Sequence, residues 1–527
     1  MYDYVIVGGG SAGCVLAARL SEDPDVKVCL LEAGPADTSP NIQVPAGAAR
    51  LFRTQLDWDY DSHLEPHCEN RRVYLPRGRV LGGTGSINGM IYIRGSALDY
   101  DSWNQPGWSY RELLPYFVRA EDNERGAGGF HGAGGPLAVS ENRSRNPMSD
   151  AFIAAAVGAG HPANDDFNGA AQDGFGYYQV TQRDGMRCSS AAGYLRPALD
   201  RPNLTVETGV QVHRVIMEGD RASGVAGQRA DGREVTVRAE REVILAAGAY
   251  NSPQLLMLSG IGPADLLTAL GIPVVLDQPQ VGRNLQDHPQ FWLVYAHSQP
   301  VSLLVAGEPR YQRQFAEHRS GPLSSNGPEA GGFLRSRADL PAPDLQFVCL
   351  PVMFADGGLG FPSGHAISFG AYVLQPRSRG SVTLAGDDPT AKPRITHNYY
   401  AEEADLRTAV EGVRAALDIA RQPALAAYTE RPFSVPASES DADIRDFLRR
   451  NTQTSYHAAG SCAMGLVTDA ELRVLGTEGL RVVDASVMPS LVSGNTNAPT
   501  IAIAERAADL IRGVVPRLPA AAATAAR

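Results

Sequence analysis

The chain begins with a short apolar, β-branched run, Tyr4-Val5-Ile6-Val7, which meets a glycine cluster, Gly8-Gly9-Gly10-Ser11-Ala12-Gly13, without a polar break. A continuous apolar run of this length is the pattern of a strand buried on both faces, as in a parallel sheet. Cys14 to Leu20 is rich in Ala and Leu and predicts a helix, and Val26-Lys27-Val28-Cys29-Leu30-Leu31 predicts a second strand ending at Glu32. Strand, glycine turn, helix and strand in this order make the βαβ unit of a dinucleotide-binding fold. Further along, Asp344 to Leu350 and Ser368 to Leu374 read as strands. Leu406, Val410, Val413 and Leu417 fall on one face of a helix. Pro499 begins a last helix, with an apolar stripe at Ile503, Ala507, Leu510 and Ile511. The Ala-rich stretch Pro519 to Arg527 predicts a frayed end.

Each position of the glycine cluster has a physical task. Gly8 permits a tight turn, Gly10 lets the backbone approach a pyrophosphate, and Gly13 lets helix and strand pack closely. Ser11 and Ala12 open the helix, whose free N–H groups and partial positive charge suit phosphate. Glu32 stands 19 residues after Gly13, where a carboxylate accepts hydrogen bonds from ribose hydroxyls. This unit leaves FAD and NAD equally open.

Composition removes several functional classes. With 527 residues the chain holds more than one domain. A net charge of −11 and no Lys/Arg block argue against nucleic acid as a partner. The six cysteines lack C-x-x-C spacing, so neither a disulfide framework nor a metal site is expected, and reduced thiols fit a cytoplasmic protein. No basic and apolar leader precedes the first strand, against a signal peptide. No stretch reaches the ~20 apolar residues of a transmembrane segment.

Four later segments separate the two cofactors. Arg77-Gly78-Arg79-Val80-Leu81-Gly82-Gly83-Thr84-Gly85-Ser86-Ile87-Asn88-Gly89-Met90 resembles the first signature of the glucose-methanol-choline (GMC) oxidoreductases. Gly248-Ala249-Tyr250-Asn251-Ser252-Pro253 through Ser259-Gly260-Ile261-Gly262-Pro263 resembles the second. Val281-Gly282-Arg283-Asn284-Leu285-Gln286-Asp287-His288, and Val483-Asp484-Ala485 through Asn495-Thr496-Asn497-Ala498-Pro499, are also similar to family segments. The resemblance, from about residue 2 to residue 513, implies FAD.

Carried over by position, Arg79, Gly82, Gly83, Asn88, Gly89, Met90 and Ile91 are expected along the flavin and pyrophosphate. Ala33 is expected beside Glu32, and Val212 at the adenine. Ala247, Gly248, Asp484, Ala485, Asn495 and Thr496 are expected along the pyrophosphate, ribityl and flavin regions. Some relatives tether FAD through a histidine just before the signature asparagine. That place is Ile87, so the FAD is expected to be non-covalent.

The resemblance implies oxidation of an alcohol to an aldehyde or ketone, with a base taking the hydroxyl proton and flavin N5 the hydride. Among 11 histidines, His457 lies in Ser455-Tyr456-His457-Ala458-Ala459-Gly460, which resembles the segment carrying the family's active-site histidine. A neutral imidazole, ordinarily near pKa 6.5, suits the task. The family's second catalytic position matches Asn495, which can donate to a developing alkoxide but cannot be the base. Tyr456 and Glu329 are candidate substrate contacts. A glutamate at the place of Glu329 faces the cationic head in choline-oxidising relatives, although a structural role fits it as well. Electrons then pass to oxygen or to a quinone- or dye-type acceptor. Hydroxynitrile lyases and photodecarboxylases also resemble the family, so a non-redox flavoenzyme is the alternative.

The fold class expected is α/β, with a Rossmann-like FAD-binding domain interleaved with a substrate domain on an antiparallel sheet flanked by helices. Residues 1–155, 195–295 and 430–515 would form the former, 156–194 and 296–429 the latter, and 516–527 a flexible tail.

Overall fold

In the computed structural model, residues 1–360 and 362–514 are described, and the Ala-rich end lies outside them. Strand β1 spans Tyr2–Val7, helix α1 Ser11–Leu20 and strand β2 Val28–Glu32. β1 pairs in parallel with β2 on one side and with the strand Glu234–Leu245 on the other. Leu204–Thr208 extends the sheet beyond β2, and Leu480–Val482 adds to Glu234–Leu245, both in parallel. Val5, Ile6, Cys29 and Leu30 have no exposed surface, which is why their runs show no polar alternation. The strand Val210–Glu218 and its partner Arg221–Arg229 continue this sheet in antiparallel sense.

A second sheet is antiparallel throughout. Strand β3 (Pro289–Gln290), strand β4 (Leu345–Leu350) and strand β5 (Ala366–Val373) lie at its centre, with β5 pairing both other strands. One face carries Phe291, Phe347, Cys349 and Phe369, which pack with Leu406, Val410 and Val413 of the helix Glu403–Ala420. The other face turns toward the first sheet. The strands Arg431–Ser434 and Gln453–Thr454 also pair here. So do Pro289–Gln290 and Leu293–Ala296. Sequence assigned 195–295 and 430–515 to the cofactor part. These four strands lie in or at the edge of those stretches and yet pair within the second sheet, because short strands take their partners from hydrogen bonds that local pattern does not encode.

Helix α2 covers Asn497–Arg512 and packs along α1. It starts two residues before Pro499, whose missing N–H falls in the first turn and breaks no intrahelical bond. No described helix is long and apolar enough to cross a membrane.

Candidate active site

Between the two sheets lies a cavity of about 1150 Å³. This exceeds the ~300–1,000 Å³ of ordinary small-molecule sites, so it has room for a dinucleotide and a substrate together. At one end the wall is the turn after β1. A Cβ on Gly13 would sit 1.9 Å from the Gly8 carbonyl oxygen, so α1 touches β1 only because that side chain is absent. A Cβ on Gly10 would meet nothing closer than 3.9 Å, so the bare surface there faces the cavity. Glu32 is buried and lines the cavity. Its carboxylate accepts from Gly9 N–H and Gly34 N–H, each at 2.8 Å, and burial lifts its pKa to about 7. The N-termini of α1 and α2 converge here, tied by Ser11 Oγ donating to Asn497 Oδ1 at 2.8 Å.

Two arginines of the first signature show what the cavity suits. Arg77 and Arg79 line it, and Arg77 Nε and Nη2 and Arg79 Nε are buried without hydrogen-bond partners. Guanidinium N–H groups without hydrogen-bond partners, in a cavity that also has two helix N-termini and a glycine turn, fit an anionic dinucleotide. Most expected cofactor residues line the same wall: Gly8, Ser11, Ala12, Ala33, Gly83, Asn88, Gly89, Met90, Ile91, Val212, Ala247, Gly248, Asp484, Ala485 and Thr496. Gly82 and Gly13 do not line it. Gly82 has a φ of 84° and donates its N–H to Gly9 O at 2.7 Å, so it holds two loops together instead. Arg187 lay outside the motif reading. It is buried and donates to Asn88 Oδ1 at 2.8 Å, pinning the signature loop from a segment far away in sequence.

The other end holds His457 and Asn495, both lining the cavity, with Asn495 Nδ2 at 3.0 Å from His457 Nε2. Tyr456 takes a left-handed φ of 69°, an unusual state for a bulky residue. The kink is held by the Tyr456 N–H to Thr454 Oγ1 at 2.7 Å and by the His457 N–H to Asp287 Oδ1 at 2.8 Å. Gly494 precedes Asn495 because a Cβ there would lie 2.3 Å from Ile93 Cγ2.

The donors and acceptors around His457 can be assigned from both ends. His288 Nε2 lies 3.0 Å from the Leu374 carbonyl oxygen, which only accepts, so that nitrogen carries a proton. Burial pushes His288 down to about 4, so the ring is neutral and its Nδ1 is an acceptor. His457 Nδ1, 2.9 Å away, must therefore donate. Burial, and then the neighbouring His288, hold His457 well below the ordinary imidazole value, so its Nε2 keeps a free lone pair. From the opposite side, Gln346 Nε2 donates to Asn495 Oδ1 at 3.1 Å, which turns the Asn495 amide N–H toward that lone pair. Beneath the two imidazoles, Asp287 is held below the usual carboxylate range despite burial, by the charge of His397 and by hydrogen bonds from Thr454 and Tyr399.

Glu329 corrects the sequence reading. It has no exposed surface and is absent from the cavity wall. Its carboxylate accepts from Asn146 N–H at 2.8 Å, Ser149 Oγ at 3.0 Å and Ser325 Oγ at 2.6 Å, which occupies both oxygens away from any substrate. Tyr456 does line the cavity. No group of His, Cys, Asp and Glu suited to a metal occurs among the described residues.

The comparisons with known proteins agree with this geometry. The N- and C-terminal models of the GMC oxidoreductase family match residues 2–290 and 376–504. The chain belongs to the GMC oxidoreductases. It is 44% identical to an oxygen-dependent choline dehydrogenase of Burkholderia ambifaria, across 98% of this chain and 94% of that one. Pyridoxine 4-oxidase from Mesorbium loti superposes with a TM-score of 0.90 at 34% identity, covering 98% and 100% of the two chains. Formate oxidase superposes with a TM-score of 0.89 at 28% identity, covering 97% and 98%. The chain is an FAD-dependent oxidoreductase that oxidises a small-molecule alcohol, and the non-redox alternative is not favoured. Position 87 offers only an isoleucine for covalent attachment. Among the described residues lining the cavity there is no cysteine, and the only histidine is His457. The FAD is therefore held non-covalently.

Proposed function

We propose that His457 is the base of this GMC oxidoreductase and that Asn495 steadies the substrate oxygen. The observation that carries the reading is the proton assignment, which leaves one unprotonated ring nitrogen, His457 Nε2, facing the cavity side by side with an amide donor. An alcohol oxygen placed between them would give its proton to Nε2 and receive a hydrogen bond from Asn495 Nδ2 as negative charge grows on it. FAD, when bound, supplies the hydride-accepting centre. The cavity residues of the first signature, the α1 turn and the α2 N-terminus hold it. Protonation of Nε2 places a cation over ionised Asp287, which compensates the charge without touching the substrate.

The support for substrate class comes from relatives named for choline, pyridoxine and formate, so the family name alone selects none of them. Oxygen or a quinone-type acceptor completes the cycle. All six cysteines are free and buried, which supports a reducing compartment such as the cytoplasm. The two interleaved parts are best divided by sheet membership, with Pro289 to Ala296 and the stretch 431–454 given to the substrate part.

The test is anaerobic mixing with alcohols while following flavin absorbance in the dark. The wild type bleaches. His457→Ala retains its flavin and bleaches at least ~10²-fold more slowly, the scale of a lost general base. A variant that bleaches at the wild-type rate removes His457 from the chemistry.

A further inference from the structure

His288, Gln290 and Trp292 alternate along the extended stretch that holds the short strands Pro289–Gln290 and Leu293–Ala296, while Phe291 and Leu293 pack into the core behind it. His288 is the partner of the base. Two residues on, Gln290 lines the cavity, is 4% exposed, and its side-chain amide has no hydrogen-bond partner among the described residues. It stands directly opposite Tyr372, whose ring centre is 5.6 Å from that of His457. Around it the wall is apolar or aromatic: Val348, Leu350, Trp292 and Phe354, the last two in contact at 4.8 Å between ring centres. An amide that faces the cavity without a protein partner is free to bond a ligand, and Trp292 Nε1 and Tyr372 Oη in the same wall are buried without partners as well.

The carboxylates of the cavity are elsewhere. Among the described residues, Glu32, Asp57 and Asp484 are its only acidic lining residues. Glu32 is engaged at the dinucleotide turn, Asp57 by Tyr74, Arg53 and Arg77, and Asp484 by Gly248, Ser252 and Ser486. Glu329 is sealed behind the wall. A quaternary ammonium group next to His457 would meet no carboxylate in the wall, since Asp287 lies behind the imidazoles with both oxygens engaged by His288 N–H, His457 N–H, Tyr399 and Thr454. Attraction from one or two aromatic faces does not offset the lost hydration of an ion.

Resting on the His457 reading, we propose that Gln290 is the specificity-determining residue of this enzyme. It selects a neutral alcohol, apolar or aromatic in its body, with a second polar group that hydrogen-bonds the Gln290 amide. It rejects cationic amino alcohols despite the likeness to proteins named for choline.

The test uses purified FAD-loaded enzyme. Its probes are choline, the neutral isostere 3,3-dimethylbutan-1-ol, benzyl alcohol and the hydroxymethylpyridines. The concentration dependence of anaerobic flavin bleaching gives an apparent dissociation constant and a limiting rate separately. In the wild type the isostere binds at least tenfold more tightly than choline, and one hydroxymethylpyridine binds more tightly than benzyl alcohol. Gln290→Glu shifts the choline-to-isostere ratio at least tenfold toward choline, and Gln290→Leu removes the pyridine preference. A wild type that binds choline as tightly as the isostere overturns the proposal, as does a ratio unmoved by Gln290→Glu. Failure of the underlying reading looks different, since then no alcohol bleaches the flavin or His457→Ala bleaches it normally.

Discussion

At the dinucleotide end of the cavity the wall is backbone: a bare glycine turn, two helix N-termini and loops closed by N–H to carbonyl bonds. At the substrate end it is a row of side chains on a sheet face, with His288, Gln290, Gln346 and Tyr372 brought together from three strands. The first kind of wall is set by backbone contacts such as those of Gly8 and Gly13, where no Cβ fits, and it binds a constant ligand. The second can exchange side chains without moving the strands, so one fold serves many alcohols. Cofactor binding and substrate choice should therefore fail separately.

The largest effect is expected at the backbone end. Gly13→Val places atoms where the Gly8 carbonyl lies, and the protein should lose its flavin altogether, read as the ratio of flavin to protein after purification. Variants of the sheet face should stay yellow. A yellow Gly13→Val would break the contrast.

Next is an effect of pH confined to the side-chain end. His288 is held at about 4 by burial, against ~6.5 in an unfolded chain, so between these values the unfolded state binds more protons. Stability is fully present above ~6.5 and is lost as pH falls toward 4, on the order of 3 kcal/mol from this residue. On the alkaline side His131 acts with opposite sign. Hydrogen bonds to Asp166 and Glu121 raise it to about 9, so its contribution is fully present below ~6.5 and is lost as pH rises toward and through 9. Thermal unfolding midpoints should peak between these limits. A midpoint at pH 5 no lower than at pH 6.5 contradicts the burial of a neutral His288.

Glu329→Gln sharpens the line between wall and support. Replacing a buried carboxylate that accepts three hydrogen bonds should cost about 1–3 kcal/mol of stability. The apparent dissociation constant for alcohols should stay as in the wild type. A selective loss of affinity for one substrate would return Glu329 to the site.

The smallest effect is expected from His288→Leu, which leaves His457 without its Nδ1 acceptor. Flavin reduction should slow about tenfold as the wrong tautomer becomes populated. The acid limb of its pH profile should move up toward the ordinary imidazole value, because the neighbour that depressed His457 is gone. A slower enzyme with an unmoved limb would mean that His288 only fills space.

These two ends also differ in how far the sequence reveals them. The βαβ unit was legible because a turn without Cβ atoms needs glycine at fixed spacing, and Gly8, Gly10 and Gly13 supply it within six residues. His457 and Asn495 were legible through the segments that carry them, and the structure places both in the cavity. Gln290 and Gln346 were not, since an amide on a strand has no local signature and its meaning comes from Tyr372 across the ladder. Glu329 stayed open between substrate contact and support, because a carboxylate in a glycine-rich stretch looks the same in sequence whether it faces a ligand or three buried donors. The sheet that takes the short strands at 431–434 and 453–454 was not legible for a similar reason, as pairing partners over a hundred residues distant decide it.

Neutron diffraction from crystals of the oxidised enzyme exchanged into heavy water reads the central claim directly, because it locates the ring protons. The account predicts deuterium on Nδ1 of His457 and on Nε2 of His288, and none on Nε2 of His457. Deuterium on Nε2 of His457 in the resting enzyme would leave the site without a base and contradict it.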